Sequence, residues 1–283
     1  MKANGTKHAP TLHEKVVEVQ LTCSFSWGNV TDNAISTEVN SDKHSGNALR
    51  VRKTLMPKDS GLRVKKLCTI LSEFYSWHID NTLSTPTKGR RLLPAAFHFL
   101  YMEKLGDAKA KAEEALDEVV AHYDDDVHAA KALLGGAAKD EDYPPAEDIR
   151  GYYNCDVRFF PLPTGDRILN VLGAEVAADV DSYVDAMAQA AVEDAKGKLR
   201  EAVGRMAERL ATPDGIFRNT LTENVDDVLN VLRYMNITED AEFATIIDEA
   251  KDTLHGWNPE QLRKNPAVRS QVAKAAQQIL AKL

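Results

Sequence analysis

The feature that most constrains the fold of this chain is a proline-free amphipathic run from Ile168 to Leu210. Its apolar residues recur at steps of three and four, which places them on one face of an α-helix. They are Leu172, Val176, Val180, Tyr183, Met187, Ala191, Ala195, Leu199, Val203, Met206 and Leu210. At about 1.5 Å per residue such a helix would be roughly 60 Å long. A helix of that length needs a partner of similar length to bury its apolar face.

A second helical run just upstream is the predicted partner. Pro94 suits a first helical turn, apolar residues recur at threes and fours from Phe97 to Leu133, and Gly135-Gly136 ends the pattern. The two runs predict a long antiparallel helical hairpin with an excursion at residues 137–167. The acidic, proline-bearing start of that excursion, Ala137 to Asp148, is predicted to be exposed.

The N-terminal third has a mixed pattern. Strict alternation of apolar and polar residues from Val17 to Trp27 predicts a strand with one buried face. The other predicted elements are a short helix over Asp32–Val39, a second strand over Ala48–Leu55, a helix over Leu62–Ile79 and, further along, an edge strand over Asp156–Leu162. Residues 1–12 are predicted to be a disordered tail.

The C-terminal segment is predicted to form a compact group of helices. Phe217 to Met235 predict one helix, Asn236 with Glu239 resembles a capping box for the next, and Asn258-Pro259 and Asn265-Pro266 each predict a helix start. The fold class is therefore α+β and predominantly α-helical. The predicted domains are a basic α/β head (1–92), the helical hairpin (93–212) and a C-terminal helical unit (213–283).

Several protein classes are disfavoured by the composition. The longest runs without Asp, Glu, Lys or Arg are 13 residues from Val19 and 11 from Leu92, whereas a membrane span needs about 20 apolar residues. The N-terminal residues lack the apolar core of a signal peptide. Three widely spaced cysteines, Cys23, Cys68 and Cys155, fit a reducing cytoplasm without a disulfide framework.

Charge is distributed unevenly along the chain. Residues 1–105 hold 15 Lys+Arg and 9 Asp+Glu, and the remainder hold 20 and 34. A basic head on an acidic body can indicate an anionic partner such as a nucleic acid. It can equally mean that head and body attract one another, and the sequence leaves both interpretations open.

Motifs for catalysis are missing: the chain has no phosphate-binding glycine loop, HExxH, paired CxxC or G-x-S-x-G. We therefore assign no catalytic residue and no cofactor. The weak metal candidates are His122, Asp124 and His128, because residues four apart share a helix face. A solvated helix surface explains the same residues, so no metal site is predicted.

The basic residues of the head form the candidate nucleic-acid site. They occur in three sequence blocks that a small α/β head could bring onto one surface near Tyr75, Trp77 and His78. The candidates are Arg50, Arg52, Lys53, Arg63, Lys65, Lys66, Lys88, Arg90 and Arg91, with Lys58 beside them. The alternative is that these residues solvate the head and pair with acidic helices, while Tyr75 and Trp77 lie in the core.

Four phrases of the sequence resemble the DUF3150 family of phage, plasmid and other mobile-element proteins. They are KTLMP (53–57), TLSTPTKGRRLLP (82–94), RFFPLP (158–163) and FRNTLTENVDDVLNVLRYMN (217–236). The resemblance spans most of residues 15–255, although Thr87 stands where some relatives have Trp. The family has no assigned activity. Its members are often encoded near MoxR-type AAA+ ATPases, von Willebrand A-domain proteins and recombination genes, which implies an accessory role.

The leading functional hypothesis is a non-enzymatic accessory protein of a phage or mobile element. It would act in the host cytoplasm as an oligomeric assembly or adaptor component, with an AAA+ ATPase or von Willebrand A-domain protein as the partner that the resemblance implies. The alternative is a DNA-binding protein that uses the basic head. An enzyme with a metal at His122–His128 ranks third, and no membrane partner is expected.

Overall fold

The computed structural model describes residues 12–212 and 217–283 and confirms a predominantly helical α+β fold. The α-helices are α1 (Leu12–Lys15), α2 (Asn33–Lys43), α3 (Leu62–Asp80), α4 (His98–Ala121), α5 (Tyr123–Leu134), α6 (Gly165–Leu172), α7 (Ala174–Ala211), α8 (Thr220–Met235), α9 (Ala241–Leu254), α10 (Pro259–Lys264) and α11 (Pro266–Leu280). The strands are β1 (Val16–Phe25), β2 (Asn29–Thr31), β3 (Arg52–Thr54), β4 (Leu83–Ser84), β5 (Arg91–Pro94) and β6 (Tyr153–Phe160). The tail predicted to be disordered lies, except for Leu12, outside the described residues.

Two small sheets contain the strands. The larger has the order β4-β5-β1-β6, with β1 antiparallel to β5 so that Val16 lies opposite Pro94 and Val19 opposite Arg91. β2 and β3 form a separate two-stranded sheet. The predicted first strand and the predicted edge strand are confirmed as β1 and β6. The predicted strand over residues 48–55 is reduced to the three residues of β3.

One residue of β1 departs from the predicted alternation. Glu18 was expected on the wet face of the strand, yet its side chain is buried. Arg90 donates a hydrogen bond to its Oε2 atom at 2.8 Å, and a buried carboxylate requires such a partner. Sequence alternation alone could not show this, because the partner lies 72 residues away.

The chain divides into two compact units. The first comprises residues up to Gln20, Trp77–Tyr101 and Arg158–Leu283, and the second comprises Leu21–Ser76 and Met102–Val157. The division does not coincide with the boundaries predicted at residues 92 and 212. Each unit is instead assembled from segments that lie far apart in the sequence.

In the first unit the long helical run is interrupted. At Gly173 the backbone has φ +89°, a conformation that glycine adopts without steric strain, so α6 and α7 replace the single helix predicted from Ile168. α7 does not depend on the predicted partner from residues 94–133 for burial. Its apolar face shares one core with α8, α9 and α11, in which the buried residues include Met187, Leu199, Met206, Leu229, Leu232, Phe243, Ile247, Val272 and Ala276.

The C-terminal helix starts follow local capping. Asn258 accepts from the backbone N–H of Glu260, and Asn265 accepts from the N–H groups of Ala267 and Val268, as their positions before proline predict. The capping box predicted at Asn236 is wrong. Asp240 caps α9 by accepting from the N–H groups of Glu242 and Phe243. The Asn236 side chain instead donates to the carbonyl of Asp240 and accepts from its N–H.

The second unit has its own core of α3, α4, α5 and the aromatic residues near β1. Its buried side chains include Trp27, Leu67, Leu71, Ala112, Leu116, Val119, Tyr123 and Ile149. The predicted helix of residues 94–133 consists of α4 and α5, which are separated at His122. Pro94 is not in the first helical turn, because it ends β5 opposite Val16.

The acidic segment Ala137–Asp148 makes more contacts with the rest of the second unit than its predicted exposure implied. It forms short 3-10 turns, and Asp142 accepts a hydrogen bond from the Lys53 ammonium at 2.6 Å. The Tyr143 hydroxyl donates to the carbonyl of Leu55 at 2.9 Å, and Ile149, just beyond, is fully buried. The segment therefore contributes to the second unit and is not simply a solvated loop.

Candidate functional site

Lys53, a candidate DNA-binding residue, is buried in the second unit. Its side chain donates to the carbonyl of Ala137 at 2.8 Å and to Asp142 at 2.6 Å, and it lies 3.5 Å from the carboxylate of Asp32. Burial alone would lower the pKa of Lys53, but the hydrogen bonds and charges of the two carboxylates outweigh it and raise the pKa. Lys53 is therefore a structural cation that no phosphate can reach.

Two more candidates in the second unit have acidic partners. Arg63 donates from one nitrogen to both carboxylate oxygens of Asp126 at 2.8 and 3.0 Å. Lys66 donates to Glu118 at 2.9 Å, although both of these side chains are substantially exposed. Exposed pairs of this kind contribute little to stability, so Lys66 could exchange its partner for a phosphate more readily than Lys53.

The candidates Arg90 and Arg91 lie in the first unit and also have partners. Arg90 pairs with the buried Glu18 and lies over the Phe160 ring, 4.1 Å from its centroid. Arg91 donates to Asp194 of α7 at 3.0 Å and to the backbone carbonyl and hydroxyl of Thr82. These contacts hold β5 within its own unit.

Aromatic and imidazole side chains of the first unit near Arg91 pack against one another. The partly buried Trp77 contacts Phe97 and Tyr101, with ring centroids 6.1 and 5.7 Å away. Buried His78 shares a hydrogen bond of 2.9 Å with the Tyr101 hydroxyl. Burial, followed by the charges of Arg91 and Lys198, lowers the pKa of His78 to about 4. It is therefore neutral at pH 7, and Trp77 is a packing residue and not a base-stacking platform.

The other basic candidates are exposed. Within the described part of the chain, no ion pair is seen for the exposed residues Arg50, Arg52, Lys65 and Lys88. Lys58 is also exposed and without an ion pair there. Arg50 precedes β3, Arg52 begins it and Lys65 lies on α3; all three belong to the second unit. Lys88 lies in the β4–β5 turn of the first unit. The nine candidates are thus divided between two units, and five of the nine, including Lys66, are exposed.

Part of the charge asymmetry of the sequence is used in internal pairing. Among the described residues, basic side chains from the first 105 residues pair with acidic side chains from later segments. These pairs are Lys15–Glu239, Lys53–Asp142, Arg63–Asp126, Lys66–Glu118 and Arg91–Asp194. Of the two interpretations left open by the sequence, mutual attraction of head and body therefore has direct structural support.

The weak metal candidates are not gathered into a ligand set. His122 lies at the non-helical junction before α5, so it does not share a helical face with the later residues. Asp124 and His128 are exposed on α5, and nearby Asp126 is occupied by Arg63. Among the residues that the structure describes, no group of three His, Cys, Asp or Glu side chains is placed to hold a metal ion.

A pair of thiols is the reactive group that sequence reasoning missed. The Cys23 and Cys155 sulfur atoms lie 3.1 Å apart on neighbouring strands of the second unit. The sequence separation of 132 residues conceals this pair. The sequence signal for the pair is weak: Cys23 lies in a predicted strand, and Cys155 lies directly before another.

An apolar surface on α6 is open to solvent. Its side chains Leu169, Val171 and Leu172 are 45, 77 and 61% exposed, and Val176 follows at the start of α7. We call these four residues the α6 face. The N–H of Gly165 donates to Asp181 of α7 at 3.0 Å, which fixes the start of α6 on the folded unit. Phe99, at the start of α4, is 86% exposed.

Comparisons of the chain with protein-family models, curated proteins and solved structures give no match. The resemblance to DUF3150 therefore stands on the four sequence phrases alone. Within the described residues, no helix combines the length and the apolar character needed to cross a membrane.

Proposed function

We propose that this protein is a non-enzymatic assembly component that associates with a second copy of itself through the α6 face. The observation that carries the proposal is the exposure of Leu169, Val171 and Leu172 on a helix anchored to its unit. Large exposed apolar patches are uncommon in monomeric proteins and mark interaction sites. The resemblance to DUF3150 adds the expectation of a phage or mobile-element assembly that includes an AAA+ ATPase.

A second copy is the occupant that the chemistry of the face favours. In a two-fold symmetric dimer the same patch meets itself, so an apolar strip needs no separate complementary partner. Fully burying one Val or Leu side chain stabilises by about 1.5–3 kcal/mol. Pairing two copies would remove apolar side chains of both α6 faces from water, which opposes the entropy cost of association.

Multi-angle light scattering of the full chain across a range of concentrations tests this proposal. We expect the wild type to associate and the Val171→Ser/Leu172→Ser variant to shift to monomer. Leu133→Ser is the matched control, because Leu133 is 51% exposed on α5 and lies outside the α6 face. A wild type that stays monomeric at all concentrations refutes self-association, and equal behaviour of both variants refutes the role of α6.

The AAA+ partnership needs a separate measurement. A MoxR-type ATPase purified with the chain should co-elute in size-exclusion chromatography, and its ATPase rate should change when the chain is added. Co-elution that survives the Val171→Ser/Leu172→Ser variant would place the ATPase contact elsewhere. Neither co-elution nor a rate change would remove the ATPase from the proposal and leave self-association unaffected.

DNA binding is a second candidate, favoured by the exposed Arg50, Arg52 and Lys65 of the second unit. Phosphate contacts by such residues make affinity fall with salt, with a slope of about −0.9 per phosphate contact. We expect Arg50→Glu/Arg52→Glu to weaken any gel shift and reduce that slope. Arg90→Glu is unsuitable for the test, since it would place a carboxylate beside buried Glu18. No shift at low salt would refute DNA binding.

A further inference from the structure

The thiol pair of the second unit lies on β1 and β6, which are neighbours in the sheet, and the backbone bonding next to the pair indicates that the two residues are opposite one another. The N–H of Ser26 donates to the carbonyl of Tyr152 at 3.0 Å. Moving three residues back along β1 and three forward along β6 reaches Cys23 and Cys155. In an antiparallel ladder this is a non-hydrogen-bonded position, where the Cα atoms are about 4.5 Å apart. That separation lies within the range that a disulfide spans.

The sulfur atoms are already close to bonding distance. They are 3.1 Å apart, and a disulfide bond is about 2.05 Å long, so each needs to move by roughly half an ångström. β6 is an edge strand with β1 as its neighbour in the sheet. Such a strand can adjust its position more easily than one that is paired on both sides.

The two thiols are chemically unequal. The hydrogen bond with Cys23 is the largest cause that lowers the pKa of Cys155 to about 7, and the charge of Lys109 acts in the same direction. Burial and the charge of Asp156 oppose this shift. The same hydrogen bond raises the pKa of Cys23. Cys155 is therefore the sulfur that ionises near neutral pH, while Cys23 keeps its proton.

We propose that Cys23 and Cys155 form an oxidisable dithiol site that reacts with small hydroperoxides and closes to an intramolecular disulfide. This site is independent of the α6 face, because it lies in the other unit. Cys155 is 8% exposed and Cys23 is partly buried. The site therefore favours an oxidant as small as hydrogen peroxide over a bulky disulfide.

The reaction balances in two steps. The Cys155 thiolate attacks a peroxide oxygen; an S–O bond forms, the O–O bond breaks, and the departing oxygen takes a proton to leave as water or an alcohol. The Cys23 sulfur then attacks Cys155; the S–S bond forms, the S–O bond breaks, and the leaving hydroxide takes the Cys23 proton and becomes water. The two sulfur atoms together supply the two electrons that reduce the peroxide.

Cys68 provides an internal comparison. Burial raises its pKa, so it is protonated at neutral pH and is a poor nucleophile. The Cys68→Ser variant is therefore the matched control. It should keep the full reaction with hydrogen peroxide, because it leaves both members of the pair in place.

Peptide mapping of the peroxide-treated wild type tests the proposal without any substitution. The reduced full chain has three thiols. After hydrogen peroxide we expect one free thiol, a mass decrease of ~2 Da from the loss of two hydrogens and a cross-linked peptide joining Cys23 to Cys155. Three remaining thiols, a cross-link that includes Cys68, or dimers linked through disulfides would each overturn the proposal.

Two variants test the order of the steps. Cys23→Ser should accumulate a sulfenic acid at Cys155 that dimedone traps, and Cys155→Ser should give no dimedone adduct. Circular dichroism checks that both variants remain folded, and the wild-type map decides the matter if either does not. Trapping at Cys23 in the Cys155→Ser variant would reverse the assignment of the attacking sulfur and overturn that step.

Discussion

Replacing Lys53 by Met is expected to destabilise the second unit severely. The ammonium connects β3 to the Asp32 cap of α2 and to Asp142, and it is 7% exposed. Removing one partner of a buried ion pair leaves uncompensated charge, which costs about 3–5 kcal/mol. Methionine retains the volume of the side chain, so loss of packing adds little. We therefore expect a loss of at least about 3 kcal/mol in the free energy of unfolding.

Urea denaturation followed by circular dichroism measures this loss, and Lys66→Met supplies the matched control. Lys66 also pairs with a carboxylate, Glu118, but both side chains are about half exposed, so its removal should change stability by less than ~1 kcal/mol. The Lys53→Met/Asp142→Leu double variant should recover part of the loss, because one unpaired carboxylate is removed with the cation. Equal, small effects of Lys53→Met and Lys66→Met would refute this reasoning.

Asp32 and Lys53 each stabilise the fold over a defined range of pH. The N–H of Ile35, and then the charges of Lys139 and Lys53, lower the pKa of Asp32 below its ordinary 3.8. Its stabilisation is complete above pH 3.8 and is lost as pH falls through the folded-state pKa. The pKa of Lys53 is raised above 10.5, so its stabilisation is complete below pH 10.5 and is lost as pH rises further. The stability difference between wild type and Lys53→Met should therefore narrow at both extremes.

Four further outcomes follow from buried or reactive groups. Tyr123→Phe should be neutral or stabilising by up to ~1 kcal/mol, because the buried hydroxyl has no hydrogen-bond partner among the described residues. Tyr101→Phe, which loses the bond to His78, should cost ~1 kcal/mol in the same denaturation assay. Gly165→Ala should cost ~1–3 kcal/mol, since its Cβ would lie 2.5 Å from Asp181 Oδ2. Alkylation of Cys155, followed by mass spectrometry, should rise with pH around a midpoint near 7.

Elements specified by local signals could be predicted from the sequence. Alternation predicted β1, apolar residues at steps of three and four predicted α3, and asparagine before proline predicted the starts of α10 and α11. Each of these signals acts within about four residues, because caps and helix faces are short-range devices. Such elements keep their identity whatever they pack against.

Features that depend on distant partners could not be predicted in this way. The run from Ile168 showed that α7 needed an apolar partner, but it could not distinguish α4 from α8 and α11, which have equally apolar faces. Burial of Glu18 depends on Arg90, and burial of Lys53 depends on Asp142. The candidate sites were the hardest to predict, because the sequence does not show whether a basic residue faces solvent or a carboxylate.

This distinction changes what the charge asymmetry implies for function. Pairs such as Lys53–Asp142 are buried and are screened little by salt, whereas Lys66–Glu118 is exposed and is screened within about 10 Å at 0.1 M ionic strength. Added salt should therefore weaken only the exposed pairs and leave the buried cluster intact. Apolar association through the α6 face responds in the opposite direction, because excluded salts such as sulfate strengthen apolar burial. Ammonium sulfate should thus promote self-association while it suppresses any binding to DNA. The two proposed functions therefore respond to added salt in opposite directions.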